Sequence, residues 1–351
     1  MKRFVTILVA VLVLVPLLTS IAVSADHPKI GLILATGGLG DKSFNDQAFK
    51  GANDACTKIA EQYGVTLEDV LDYVEPTAIA EYAGFQLQFA DAGIYDLIVC
   101  IGFDQAAPLE VTAADYPDQK FALVDMVVVA DNVASLVVND WESAFLCGVV
   151  AGMMTKTGTV GFEGGKDEPL IQRFLAGYTQ GAQWANPDVT VIHRFVGDWA
   201  NPTLGAELAR EMYNAGADYI YGAAGKSHLG VFTAAEENPA WFAIGTDVDQ
   251  AGTVPESADV IVASGLKRVD LEVEVNILSI LDGTWAAGIY SYGMVSEFGV
   301  GTGVAVGTVN VNEYVTASVS TVPVPCEVVL KCVEAANGIL DGSIVITGLV
   351  F

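Results

Sequence analysis

The residues that could do chemistry sit where strand-like runs end. Asp247 and Asp249, in Gly-Thr-Asp-Val-Asp-Gln, follow the apolar stretch Trp241–Thr246. Carboxylates so placed can work as acid and base, can hold sugar hydroxyls as fixed acceptors, or can cap the next turn. Gly37-Gly38-Leu39-Gly40 follows the first apolar run and precedes a helical pattern, the setting of a dinucleotide fingerprint. The third glycine of that fingerprint would fall at Ser43, which argues against a pyrophosphate cradle. Gly225-Lys226-Ser227 and Gly164-Gly165-Lys166 end like phosphate loops, yet Ile220 and Val160 stand where the first glycine is needed. Neither segment then has the ring of N–H groups that holds a phosphate. His27, His193 and His228 show no ligand spacing, and Gly-x-Ser-x-Gly is absent. Metal-dependent and serine-hydrolase chemistry have no foothold, and neither a metal nor a cofactor is expected.

Such residues need elements to hold them, and the chain alternates strand and helix patterns. Lys29–Ala35 is a buried-strand run, Asn45–Tyr63 a helix, Thr66–Tyr73 a second strand, and Pro76 opens a helix running to about Asp91. Strands at Tyr95–Ile101 and Lys120–Asp125 flank a helix at Gln105–Asp115, and Ala134–Val138 follows as a further strand. A second series of the same kind runs from Thr159 to Ser264, after a helix at Trp141–Lys156. Alternation of this kind predicts parallel sheets with helices on both faces. Two such lobes would place their ligand loops at the carboxyl ends of the strands, facing a shared cleft.

Composition limits the partners. Asp plus Glu number 43 against 16 Lys plus Arg, a formal charge of −27 over 351 residues. A nucleic-acid partner is excluded on that balance, because backbone phosphates call for a basic face. Lys2 and Arg3, the apolar run Phe4–Val23 and the small residues before Asp26 describe a secretory signal at residues 1–25, which points to an extracytoplasmic protein. No Cys follows that run directly, so no lipid-modified cysteine is expected. The five cysteines give no disulfide framework; Cys326 and Cys332 could pair, though six residues along one helix is poor geometry.

Several segments in order then resemble one family. GGLGDKSFN at Gly37–Asn45, FALVD at Phe121–Asp125 and AFLCGVVAGMMTKTGTVGFEGG at Ala144–Gly165 are similar to the basic membrane protein family, the purine-nucleoside receptors of bacterial ABC importers. FLAGYTQGA at Phe174–Ala182, VGDWANP at Val196–Pro202, AAGKSHLGV at Ala223–Val231, IGTDVDQ at Ile244–Gln250 and ASGLKRVD at Ala263–Asp270 continue the likeness in register. The resemblance implies a type I periplasmic-binding fold, two α/β lobes joined by three crossovers. It sets lobe 1 at residues 28–131 and 267–289, lobe 2 at 139–264 and 305–351, and the crossovers near 132–138, 264–267 and 290–304.

The same likeness implies roles for single residues. Phe44 would stack on the base, with Asn45 beside it as a hydrogen-bonding group and Trp199 as the opposite wall. Asp247 would accept the ribose hydroxyls, Lys267 would be its charged neighbour, and Asp125 would complete the polar set. One position departs from the pattern: Ala35 stands where related sequences carry an Asp at the end of the first strand. The expected function is capture of adenosine, guanosine or inosine for a membrane permease, with no bond made or broken. A receptor of the same fold for a sugar or small signalling molecule is the alternative, and a nucleoside-cleaving hydrolase using Asp247 or Asp249 a more distant one.

Overall fold

A computed structural model describes residues 27–296 and 299–350. The signal read at residues 1–25 lies outside the described residues. The chain opens with β1 (Ile30–Ile33), α1 (Phe44–Tyr63), α2 (Leu67–Val70), β2 (Leu71–Val74), α3 (Tyr82–Ala92), β3 (Leu97–Cys100), α4 (Ala106–Asp115), β4 (Phe121–Val124) and β5 (Val133–Val138). Every residue of β1, β3 and β4 is buried, as unbroken apolar runs require when helices cover both faces of a sheet. In α1 the residues Ala48, Ala52, Ala55, Cys56 and Ile59 make one buried face, and Gly64, at φ 70°, ends the helix in the left-handed region.

The second series is α5 (Asp140–Met154), β6 (Thr159–Gly164), α6 (Pro169–Ala185), β7 (Thr190–Phe195), α7 (Pro202–Asn214), β8 (Tyr219–Ala223), α8 (Leu229–Ala235), β9 (Phe242–Asp247), α9 (Gln250–Thr253) and β10 (Ile261–Lys267). Then come α10 (Val269–Leu281), β11 (Gly288–Tyr292), β12 (Thr302–Val306), β13 (Val315–Thr316) and α11 (Cys326–Leu340). The strands form two sheets, ordered β11-β5-β4-β3-β1-β2 and β13-β12-β10-β9-β8-β6-β7. All pairings are parallel except β10 with β12. The architecture is the two-lobe α/β fold of periplasmic binding proteins.

The chain passes from sheet to sheet three times. It leaves the first sheet after Val138, returns after Lys267, and crosses again between Tyr292 and Thr302. The segment 132–138, which the family resemblance implied as a crossover, is mostly strand β5, paired to β4 and β11 within the first sheet, in line with the strand read at Ala134–Val138. Its apolar residues need cover on both faces, so the crossing falls at the polar Asn139 instead. Residues 264–267 likewise belong to β10, in the second sheet. Thr66–Tyr73 also differs from a plain strand. Thr66 and Asp69 form a reciprocal capping box that winds Leu67–Val70 into one helical turn before β2 begins. All five cysteines are free; Cys326 is exposed and Cys332 buried.

Candidate functional site in the cleft between the sheets

The carboxyl ends of the parallel strands carry the polar side chains. Asp125 directly follows β4, Asp247 ends β9 and Lys267 ends β10. Asp125 and Asp247 have φ of 75° and 66°, two of only three non-glycine residues with positive φ among those described. That region costs most side chains energy, and Asp tolerates it better than most. The left-handed turn at each strand end swings the carboxylate out of the strand direction and into the cleft.

Lys267, 2% exposed, places Nζ 2.6 Å from Asp125 Oδ2, an ion pair between the two sheets. Its ammonium also lies 5.0 Å from the centre of the Phe44 ring and 5.7 Å from that of Phe174. Burial pulls the Lys267 pKa down, but Asp125, Asp247 and Asp140 together outweigh it, and the net direction is up. Asp247 behaves in the opposite sense. Burial lifts its carboxyl to about 6, against the Lys267 charge and the Ser43 hydroxyl that donates to it from the other side of the cleft. Further contacts close the gap: Gln250 Nε2 and Thr253 Oγ1 donate to the Lys42 carbonyl at 3.1 and 3.0 Å.

Phe44 and Trp199 are both half-buried and line one cavity. Trp199 sits on Gly165, where a Cβ would overlap the indole ring, and its backbone packs beside Gly225. The two Gly-Lys steps that resemble phosphate loops in sequence are therefore the seat of this tryptophan. Gly165→Ala is expected to push the ring into the cleft, costing about 1–3 kcal/mol of stability, with a red- or blue-shifted Trp199 emission as the independent check. Asn45 is engaged at both ends. Its Oδ1 accepts from Ala35 N–H at 2.9 Å and its Nδ2 donates to Asp41 at 3.1 Å, so it ties the start of α1 to the end of β1.

These side chains enclose a single cavity between the two sheets, part of it open to solvent. All six residues singled out from the sequence line it: Phe44, Asn45, Asp125, Trp199, Asp247 and Lys267. Asp249 does not; its carboxylate accepts from Ser318 Oγ and Val319 N–H, both at 2.8 Å, and ties the chain after β13 to α9. The acid–base pairing of Asp247 with Asp249 has no geometric basis.

The family model described as "ABC transporter substrate-binding protein PnrA-like" matches residues 28–322. The chain belongs to this family. An uncharacterized lipoprotein of Pyrococcus abyssi is 34% identical over 300 residues, covering 81% of this chain and 70% of that protein. Basic membrane protein A of Borreliella burgdorferi is 31% identical, over 67% of this chain and 68% of its own. Among solved structures, an ABC transporter solute-binding protein from Aeropyrum pernix K1 superposes with a TM-score of 0.75 at 30% identity, covering 92% of this chain and 94% of the other.

Within this substrate-binding fold several cavity residues carried no signal of their own in sequence. Phe103 and Asp104 come from the turn after β3, and Phe174 and Ile171 from α6. Phe103 meets Trp199 edge-on across the cleft at 6.1 Å. Asp41 is buried beneath α1, where its carboxylate accepts the N–H groups of Ser43, Asn45 and Asp46. Burial nevertheless raises its pKa. A single Asp before a helix reads as an ordinary cap, which is why its depth was invisible.

Proposed function

We propose that this protein captures a purine nucleoside between its two lobes outside the cytoplasm and delivers it to an ABC permease, without making or breaking a bond. The observation that carries this reading is one cavity with two different ends. Phe44 and Trp199 offer aromatic faces, which suit a flat base of any identity. Asp247, Lys267 and Asp125 offer fixed acceptors and a donor, which suit ribose hydroxyls. The first lobe is the first sheet with its helices, the second lobe the second sheet with α5 and α11. Their contacts through Lys267–Asp125 and Ser43–Asp247 are those of a closed form, which a ligand bound to both halves would select. The names of relatives as lipoproteins support an extracytoplasmic site.

Isothermal titration with adenosine, guanosine, inosine, ribose and glucose is the direct test. Saturable binding of a nucleoside, with the free sugars silent, is expected. A sugar bound while all three nucleosides stay silent would replace this reading by that of a sugar receptor.

The Asp247 carboxyl sets a pH dependence. Its folded pKa, about 6, is above the ordinary 3.8, so the fold favours the protonated form. Its stabilising contribution is full below about pH 4 and lost as pH rises through about 6. Asp247→Asn, which mimics the protonated group, should therefore gain on wild type between pH 4 and 7 by on the order of 2–3 kcal/mol, read from urea midpoints. Nucleoside binding should weaken as pH falls below about 6, where the carboxylate loses acceptor capacity.

A further inference from the structure

The Trp199 end of the cavity differs from the Asp247 end in a way that bears on which base is held. Asp104, from the turn after β3, and Lys226, from the turn after β8, line it from opposite lobes. Lys166 brings its Nζ to 4.0 Å from Asp104 Oδ2 across the cleft and stands 5.6 Å over the centre of the Trp199 ring. Burial lifts the Asp104 carboxyl, while Lys166 and the Trp199 indole N–H favour its charged form. Lys226 is half-buried and makes no ion pair among the described residues. Ala35, at the end of β1, adds no polar group to this wall. A carboxylate and an uncommitted ammonium thus face the same slot beside an aromatic ring.

We propose that Asp104 and Lys226 read the edge of the bound base and favour guanine; the inference rests on the nucleoside reading above. Guanine presents an acceptor, O6, followed by two donors, N1–H and the N2 amino group. A carboxylate has two acceptor oxygens for the adjacent donors, and a lysine ammonium has a donor for O6. Hypoxanthine keeps O6 and N1–H and lacks the amino group. Adenine sets the bare N1 lone pair against a carboxylate oxygen, and two acceptors facing each other in a buried slot are penalised. A site built around hydrogen bonds rejects the analogue that cannot make them. The order of affinity is guanosine, then inosine, then adenosine.

Titration calorimetry on the full protein tests this. Wild type should bind guanosine at least roughly tenfold more tightly than adenosine, with inosine between. N1-methylguanosine, which has lost the N1 donor, should bind the unaltered protein about tenfold more weakly than guanosine, and that measurement needs no variant to fold. Asp104→Asn should remove most of the guanosine preference while leaving adenosine within about threefold. Lys226→Met should weaken guanosine and inosine alike and spare adenosine. Equal losses for all three nucleosides in Asp104→Asn, or N1-methylguanosine binding as well as guanosine, would overturn the base-edge assignment and leave nucleoside capture standing. Wild type silent toward all three nucleosides would remove both.

Discussion

Replacing Lys267 by Met should cost the fold about 3–5 kcal/mol, the range for removing one partner of a buried ion pair. The magnitude follows from how many carboxylates depend on this one cation. Asp125 is 2.6 Å away and, like Asp247 and Asp140, almost wholly buried. The pKa values of Asp247 and Asp140, each pushed up to about 6 by burial, are held down in part by Lys267. Asp140 keeps a second partner in Arg173, whose Nη2 donates to it at 3.0 Å; Asp125 has no other cation among the ion pairs described. Without the ammonium, Asp125 must stay charged and unpaired or take up a proton. The variant should therefore melt earlier at pH 7 than at pH 5, relative to wild type, as protonation relieves the unpaired charges. A loss below about 1 kcal/mol, in the range of exposed pairs, would show that water reaches this pair.

Phe44→Ala is the variant with the largest expected effect on binding. Stacking of a base on an aromatic face is worth roughly 1–3 kcal/mol, or about 5- to 150-fold in Kd. Phe44 is half-buried at the first position of α1 and is partly covered by the Lys267 ammonium. Truncating it removes a wall of the cavity and trims only the margin of the first lobe's core, against which the half-buried ring packs, so stability should fall by less than about 2 kcal/mol. Calorimetry against nucleosides, set beside a urea melt of the same sample, separates the two effects. Phe44→Tyr should retain most of the affinity, because the ring face is kept. If Phe44→Ala bound nucleosides like wild type, the ring would be packing rather than a platform.

Much of the fold was legible because its signals are local. The uninterrupted apolar runs at β1, β3 and β4 and the one-sided Ala and Ile spacing of α1 each name their element without reference to any other part of the chain. Where a neighbour intervened, the sequence misled. Thr66–Val70, read as the start of a strand, is instead wound into a helical turn by a four-residue capping box, and the residues 132–138 look like any other apolar strand whichever sheet they join. Asp249 shows the same limit at the site. Two residues from Asp247 and of the same chemistry, it faces the loop after β13, because a strand-end turn at φ 66° separates the directions of the two side chains.

By itself the sequence determined the class of fold, the acidic surface and a set of six residues similar to those of a known family. It could do so because strand and helix periodicity and short motifs are properties of neighbouring residues. Only the tertiary structure decided that Asp125 and Lys267, 142 positions apart, form a buried ion pair, that two phosphate-loop look-alikes are the bed of Trp199, and that Asp104 and Lys226 line the same cavity. Those facts depend on how two separately built sheets are set against each other by three chain crossings, and distances across a cleft leave no trace in local spacing.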